Sequence, residues 1–214
     1  MSDIESAAIM LDKASAIDVN GKSKAAIQLT RIQLLEKKGE IQAALTGLES
    51  LLLDGEKQLK DTERLKALLL KGQLLYQNND LDLARQLLIE ELKKHQENQT
   101  NLLPGTLQTI ADINYLLGSI FWKLGDMEQV SKYYYMSYES NLSRLGKQHH
   151  STLKSQSAMG VLAYTLGEFD QALSHFQSVL EKRAQQLGEN HDLTADAHNR
   201  LGATWYELGK SELA

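Results

Sequence analysis

Histidine and carboxylate side chains near two loops are the groups in this sequence best suited to metal binding or acid–base chemistry. His149 and His191 recur at a spacing of 42 residues, and Asp192 and Asp196 follow the second histidine. This spacing places the two histidines one structural unit apart, which predicts a distance too great for them to share an ion. We therefore predict that both histidines hold their loops by hydrogen bonds, with a His-centred enzyme site as the distant alternative.

Sequence motifs of other catalytic and cofactor sites are absent. The chain has no Gly-x-Ser-x-Gly, His-Glu-x-x-His or glycine-rich dinucleotide pattern, and it has no cysteine. Gly21–Ser23 and Gly209–Ser211 match the end of a phosphate-binding loop, but Ala16 and Thr204 stand where that loop needs its first glycine. We predict no enzymatic activity, no metal and no cofactor.

The composition indicates a helical protein of the cytoplasm. Only 1 of the 214 residues is proline, and 42% are hydrophobic, as is ordinary for a folded soluble chain. A net charge of -5 gives no basic surface for nucleic acid or anionic lipid. The sequence has no apolar stretch of membrane-spanning length and begins without the basic segment of a secretory signal. We therefore predict neither a nucleic-acid partner nor a membrane partner.

The strongest signal is a repeat in the second half of the chain. Leu145-Gly146-x-x-His149-x-x-Thr152 recurs 42 residues later as Leu187-Gly188-x-x-His191-x-x-Thr194, a period typical of stacked supersecondary units. We expect Thr152 and Thr194 to cap or start the helices after these loops. In four of the five units, a glycine lies seven residues before a turn residue suited to positive φ. These pairs are Gly72 and Asn79, Gly118 and Gly125, Gly160 and Gly167, and Gly202 and Gly209.

Each unit is predicted to be a pair of antiparallel helices that approach closely. A glycine or another small residue in each helix lets the two helices approach closely, and a larger side chain 16 residues after the glycine fills the space between consecutive pairs. In the first unit Ile32 replaces this glycine. The matched positions are Gly72 and Leu88, Gly118 and Tyr134, Gly160 and Phe176, and Ile32 and Leu48.

This pattern resembles the tetratricopeptide repeat. The family order of leucine–glycine, an aromatic residue, a turn glycine and a second aromatic residue is present in Leu117-Gly118, Phe121, Gly125 and Tyr134. The 42-residue period and the Gly-x-x-His-x-x-Thr loops are similar to those of the kinesin-light-chain type. The resemblance implies a right-handed α-solenoid of antiparallel helix pairs. It also implies recognition of another protein in the concave groove lined by the first helix of each pair.

We predict a single solenoid segment over residues 1–214, with one unpaired helix, five helix pairs and one linker. Ala7, Leu11 and Ala14 have the spacing of a second helix, and the second helix of the last pair only begins before the sequence stops. Both ends therefore favour a fragment of a longer chain that self-associates through an open end. The segments are 1–21 (unpaired helix), 22–56 (pair 1), 57–97 (pair 2), 98–105 (linker), 106–146 (pair 3), 147–188 (pair 4) and 189–214 (truncated pair 5).

A row of aromatic residues is predicted to line the groove. The row comprises Tyr76, Trp122, Tyr164 and Tyr206. Each of them lies four residues after the glycine of a first helix, and about 100° around that helix from the residues that pack between pairs. Aromatic rings together with amides and lysines suit an extended or helical peptide, with packing against the neighbouring repeat as the alternative role for each tyrosine. Asn199 matches the asparagine with which relatives grip the main chain of a ligand. The predicted peptide-binding residues are Tyr76, Tyr115, Trp122, Lys123, Lys154, Tyr164, Asn199 and Tyr206.

A second aromatic cluster comprises Tyr133, Tyr134, Tyr135 and Tyr138. Because Tyr134 falls on the core position, we expect Tyr133 and Tyr135 to face away from it. Stacking on nucleic acid would need surrounding lysine or arginine, and only Lys132 is close. We therefore predict packing and a partly exposed convex patch.

The function that these observations favour is a non-catalytic scaffold or adaptor that binds a peptide or protein segment. The alternative is a ligand-sensing or peptide-sensing domain of a larger bacterial regulator of signalling or transcription. An attached DNA-binding, kinase or protease domain in the parent chain would favour the regulator.

Overall fold

The computed structural model describes residues 3–17, 24–54, 59–97 and 103–209, and this part of the chain consists of α-helices joined by short turns. Ten helices follow one another there without a strand. The predicted all-α solenoid of helix pairs is confirmed. The helices are α1 (Asp3–Ile17), α2 (Lys24–Lys37), α3 (Ile41–Asp54), α4 (Asp61–Gln77), α5 (Leu81–Glu97), α6 (Pro104–Leu124), α7 (Met127–Leu145), α8 (His150–Thr165), α9 (Phe169–Leu187) and α10 (Asp192–Glu207).

The chain divides into two compact units, Met1–Thr109 and Ile110–Ala214. In the first unit α2 packs against α3 and α4 packs against α5, while α1 lies on α2 and α3 lies on α4. In the second unit α8 packs against both α7 and α9, and α10 packs against α9 and touches α8. Within each unit, helices adjacent in sequence thus pack against one another, as expected of helical repeats.

Close packing within the pairs occurs at the predicted glycine positions. A Cβ atom added at Gly160 would lie 2.6 Å from Cε1 of Phe176, which is closer than two carbon atoms can approach without strain. The absent side chain therefore sets the spacing between α8 and α9. The three contacts of this kind are Gly72 on Leu88, Gly118 on Tyr134 and Gly160 on Phe176.

The first pair reaches a close spacing with the roles of its two helices exchanged. Ile32 of α2 occupies the glycine position and is buried. Opposite it, Gly47 of α3 has no side chain, and a Cβ there would lie 3.1 Å from Cγ1 of Ile32. The repeat alignment pairs Ile32 with Leu48 and gives Gly47 no role, so this compensation is visible only in the structure.

The turns within the pairs have the predicted backbone conformation. Asn79 has a φ of 66°, and Gly125 has a φ of 79°. Such left-handed geometry ends the first helix of a pair, and asparagine adopts it more readily than other residues with a side chain. The other predicted turn glycines, Gly167 and Gly209, also have positive φ, and Gly39 after α2 has the same conformation.

Helix α6 begins earlier than predicted. The sequence predicts a linker over 98–105, whereas α6 already starts at Pro104. Proline suits the first position of a helix because its φ is fixed near the helical value and its missing N–H has no intrahelical partner there. The rest of the linker, 98–102, and the terminal segment 210–214 lie outside the described residues.

The repeated loops use histidine, rather than threonine, as the helix cap. Nδ1 of His149 accepts a hydrogen bond from the Ser151 N–H at 3.2 Å, and Nδ1 of His191 accepts one from the Leu193 N–H at 3.1 Å. The predicted role of the histidines is confirmed, whereas the predicted capping role of the threonines is wrong. Thr152 and Thr194 are fully buried inside the first helical turns, and their hydroxyl groups have no hydrogen-bond partner among the described residues.

We expect Thr152→Val and Thr194→Val each to raise the free energy of unfolding by about 1 kcal/mol, because a buried hydroxyl without a partner has lost water and gained no bond. Urea denaturation of each variant measures this change. Thr204→Val is the matched control, since the equally buried Thr204 hydroxyl donates to the Arg200 carbonyl at 2.7 Å and its removal should lower stability. Equal losses at all three positions would contradict the expectation.

We expect His191→Ala to lower the stability of the second unit by about 1 kcal/mol, because the first turn of α10 loses its cap. His191→Asn restores a short side chain that accepts a hydrogen bond from the helix and should recover most of this loss. Thermal unfolding followed by circular dichroism compares the two variants. If they are equally destabilised, the contribution of His191 lies in contacts other than the cap.

Candidate peptide-binding face

Seven of the eight predicted peptide-binding residues lie on three helices of the second unit. Tyr76 is the eighth and lies half-buried on α4 of the first unit. We call the surface formed by the other seven the groove face. They are Tyr115, Trp122 and Lys123 on α6, Lys154 and Tyr164 on α8, and Asn199 and Tyr206 on α10.

Tyr115 and Lys154 are brought into direct contact across two helices. Nζ of Lys154 lies 4.0 Å from the centroid of the Tyr115 ring, which is a close cation–π geometry. The opposite contact of Tyr115 is with Tyr134, whose ring centroid is 5.4 Å away. The Tyr134 hydroxyl in turn lies 3.2 Å from Oγ of Ser119. Tyr115 is therefore held in one orientation, half-buried, beneath an exposed lysine.

The other aromatic side chains of the groove face differ in how much of each is buried against its own repeat and how much is exposed. Tyr164 packs edge-on against Phe169 with ring centroids 5.6 Å apart, so this tyrosine contacts its own repeat. Trp122 is half-buried. Tyr206 is 66% exposed, which leaves most of its ring available to another molecule. Lys123 and Asn199 are also exposed.

A charged cluster joins this face at the start of α10, and the repeat alignment gave no indication of it. Arg183, in the last turns of α9, is buried, and its guanidinium donates to the Leu193 carbonyl at 2.9 Å. The same nitrogen lies 3.6 Å from Oδ2 of Asp196, and Nε of Arg200 donates to that oxygen at 2.9 Å. Burial lowers the pKa of Arg183, and the Asp196 carboxylate acts in the opposite direction.

The 42-residue period could have identified Arg183 as a contact residue, because the residue one period earlier makes an equivalent contact. Asn141 lies one period earlier, and it is also buried in the last turns of a second helix. Its amide donates to Oγ of Ser155 at 3.3 Å and approaches the Ser151 carbonyl at 3.5 Å. Both residues therefore reach from the end of one pair to the first turns of the next.

The predicted orientation of Tyr133 is wrong. Its ring is buried and stacks on Phe121, with centroids 5.4 Å apart and an interplanar angle of 6°. Burial raises the pKa of the Tyr133 hydroxyl. Tyr135 does face away from the core and is 53% exposed. Tyr133 is buried together with Tyr134 because α6 presents the ring of Phe121 beside the core position.

The loop histidines form no metal centre together. Among the residues that the structure describes, no three histidine, aspartate or glutamate side chains are placed to hold an ion. His198 instead lies 3.3 Å from a carboxylate oxygen of Glu189. None of the described helices is both long enough and apolar enough to span a membrane.

Comparison with protein families identifies repeats over most of the sequence. One tetratricopeptide repeat model matches residues 109–185 and again 157–214, and a second tetratricopeptide repeat model matches residues 29–98. The matched ranges contain all seven residues of the groove face as well as Tyr76. No curated protein matches the chain in sequence.

Solved structures share the fold. BtubC (BKLC) from P. vanneervenii has a TM-score of 0.80 and 20% identity, covering 99% of this chain and 85% of that protein. A protein from Podosopora anserina, assigned as a kinesin light chain with nearly identical TPR-like repeats, has a TM-score of 0.71 and 17% identity over 89% of this chain and 90% of its own. A glutamine-to-methionine variant of that protein has the same score and identity over 90% of each chain. At these identities the likeness concerns the fold alone.

Proposed function

Because this chain belongs to the tetratricopeptide repeat family, whose arrays act in general as protein–protein interaction scaffolds, we propose that its groove face binds an extended segment of another protein. The proposed function is non-catalytic. In this proposal, the bound segment contacts the groove face on α6, α8 and α10.

The observation that carries this proposal is the composition of the groove face. Aromatic rings that are held in place from behind supply large contact areas at little entropic cost, and they dominate the energetics of many interfaces. Tyr115 is fixed in this way by Tyr134, and Tyr206 presents an exposed ring. The exposed amide of Asn199 can donate to and accept from the main chain of a bound peptide.

The spread of these residues over three helices favours a peptide over a small metabolite. Packed helices lie about 8–10 Å apart, so three successive first helices extend over roughly 16–20 Å. An extended chain advances about 3.3 Å per residue and needs about five or six residues to cover that distance. A ligand of this length meets residues on all three helices, whereas a metabolite reaches only one or two.

The proposal is tested by comparing two exposed tyrosines that differ in position. Peptides are selected from a random phage-displayed library on the full chain, and their affinities are measured for Tyr206→Ala and Tyr135→Ala. Tyr206 is 66% exposed on the groove face, and Tyr135 is 53% exposed on α7. We expect Tyr206→Ala to weaken binding about tenfold, the effect of losing an aromatic anchor, while Tyr135→Ala binds as the parent does.

The converse pattern would place the binding surface elsewhere. If Tyr135→Ala weakens binding and Tyr206→Ala does not, the peptide lies on the α7 side of the repeat. If neither tyrosine matters, Tyr115→Ala and Trp122→Ala decide whether any part of the groove face takes part. Circular dichroism of each variant excludes unfolding as the cause of a loss.

A further inference from the structure

We propose that the second unit bends at the junction between α7 and α8, and that this hinge sets the spacing of the groove face between α6 and α8. The α7–α8 junction consists of Ser137 and Asn141 on α7 and of Ser151 and Ser155 on α8. Such a hinge belongs to the repeat itself, so it acts with or without a bound segment and goes beyond the proposed function.

The α7–α8 junction is buried but polar. Ser137 and Ser155 are 0% and 1% exposed, and their hydroxyl oxygens lie 2.9 Å apart. The Asn141 amide donates to Oγ of Ser155 at 3.3 Å and lies 3.5 Å from the Ser151 carbonyl. Hydrogen bonds of this kind add little net stability, because water offers each group an equivalent bond when the two helices separate.

The equivalent junction between α9 and α10 is apolar at its centre. Val179 and Ala197 stand one period after Ser137 and Ser155, and they form a buried cluster with Leu153 of α8. Separating these side chains would expose apolar surface, for which water offers no compensating interaction. Equivalent positions therefore bury hydroxyl groups in one junction and hydrocarbon groups in the other.

The α9–α10 junction also has the shorter contact at its edge. Arg183, one period after Asn141, donates to the Leu193 carbonyl at 2.9 Å and forms an ion pair with Asp196 at 3.6 Å. Asn141 stands 3.5 Å from the equivalent carbonyl, that of Ser151. In these contacts at the centre and at the edge, α7–α8 is the weaker of the two junctions.

The helices on each side of the α7–α8 junction are packed together by their own contacts. On one side, the stacked rings of Phe121 and Tyr133 join α6 to α7. On the other side, the cluster of Leu153, Val179 and Ala197 joins α8, α9 and α10. Close-packed groups of helices move as bodies, and motion concentrates where the contact between them costs least to open. The hinge therefore lies between α6–α7 and α8–α10.

Bending at this junction alters the groove face. Tyr115 lies on α6, on one side of the hinge, whereas Tyr164 and Tyr206 lie on the other side, on α8 and α10. The contact of exposed Lys154 with the Tyr115 ring crosses the same boundary, and a cation–π contact at an exposed site contributes little stability. A segment that spans α6 and α8 therefore selects one angle between the two bodies.

The experiment measures how fast a buried thiol in the full chain reacts with dithionitrobenzoate. The chain has no cysteine, so Ser137→Cys and Val179→Cys each introduce a single thiol at the centre of one junction. Labelling of such a thiol in the folded chain reports the population of the open state. We expect Ser137→Cys to react about tenfold faster than Val179→Cys, because a hydrogen bond opposes opening less than a buried apolar side chain does. Val179→Cys removes more apolar volume, and this bias opposes the expected result.

Two further measurements identify the cause of a difference. Ala197→Ser in the Val179→Cys chain places a hydroxyl opposite the thiol, as Ser155 does in the Ser137→Cys chain, and should remove most of the difference. Bending exposes little surface, so labelling of Ser137→Cys should depend on urea much less steeply than global unfolding does. Equal rates for the two thiols, no effect of Ala197→Ser, or the urea dependence of global unfolding for Ser137→Cys would each overturn the hinge.

The effect on the groove face is tested with a peptide from the library selection. A peptide that bridges α6 and α8 should slow labelling of Ser137→Cys about tenfold at about ten times its Kd, the factor by which a ligand depletes a state that it does not bind. Binding without a change in this rate would overturn the link between the hinge and the groove face. Failure to select any peptide would count against the proposed function, whereas the labelling rates of the free chain would still decide the hinge.

Discussion

Replacing Asn141 by aspartate is expected to lower the free energy of unfolding of the second unit by about 3 kcal/mol or more at neutral pH. The substitution conserves shape but replaces a donor with an acceptor. The Asn141 amide donates to Oγ of Ser155, faces the Ser151 carbonyl, and is 1% exposed. An aspartate carboxylate there would be buried and would repel that carbonyl.

The loss has a defined dependence on pH. Burial raises the pKa of the introduced aspartate above its value of about 3.9 in the unfolded chain. The folded state then binds its proton more tightly than the unfolded state does. The penalty is therefore absent below about pH 4, and it grows as the pH rises toward the higher pKa of the folded form.

Urea denaturation at neutral and acidic pH measures this dependence for Asn141→Asp relative to the parent chain. Asn199→Asp is the matched control, because the same change at an exposed position of α10 should alter stability little at either pH. A variant that is equally destabilised at both pH values would show that shape, rather than charge, is the cause.

The regular part of this fold could be predicted from sequence because it depends on short-range rules. Turn residues with positive φ and glycines at close contacts are visible in the residue type alone, and their positions repeat. Asn79 could be matched to Gly125 in this way, and Gly160 could be identified as a point of close helix approach before any coordinates. The structure agrees at each of these positions.

The irregular parts could not be predicted because the same packing problem has more than one solution. Close approach needs one small residue, and either helix can supply it, so Gly47 compensates for Ile32 without keeping the register of the repeat. A helix cap needs one acceptor, and the loop offers both a histidine and a threonine. His191 takes the cap, and Thr194 is buried one turn inside.

The charged part of the groove face depends on a position that varies between repeats. Asn141 and Arg183 occupy equivalent places, and both point to the first turn of the next pair. The shorter asparagine ends at neutral hydrogen-bonding groups. The longer arginine also reaches Asp196, so a different residue at this repeat position adds an ion pair with a buried arginine to the contact. A periodic alignment identifies the shared position but not the chemistry that follows from side-chain length.

Gly160→Ala is expected to lower the free energy of unfolding by about 2 kcal/mol, because the added methyl group overpacks the contact between α8 and α9. The new Cβ would lie 2.6 Å from Cε1 of Phe176 and 3.1 Å from Cβ of His175. Phe176 is 2% exposed and cannot turn aside without displacing its neighbours. Overpacking of this kind costs about 1–3 kcal/mol, and the higher helix propensity of alanine offsets about 1 kcal/mol of the larger losses.

A double-mutant cycle separates this clash from other effects of the substitution. Phe176→Leu in the Gly160→Ala background should cost less than it does in the parent chain, since the shorter side chain makes room for the new methyl group. Leucine already faces glycine at Leu88 and Gly72 in the first unit. Gly105→Ala is the control, because nothing lies within 4 Å of a Cβ at that helical position and no loss is expected. Additive losses in the cycle would mean that Gly160 does not set the spacing of α8 and α9.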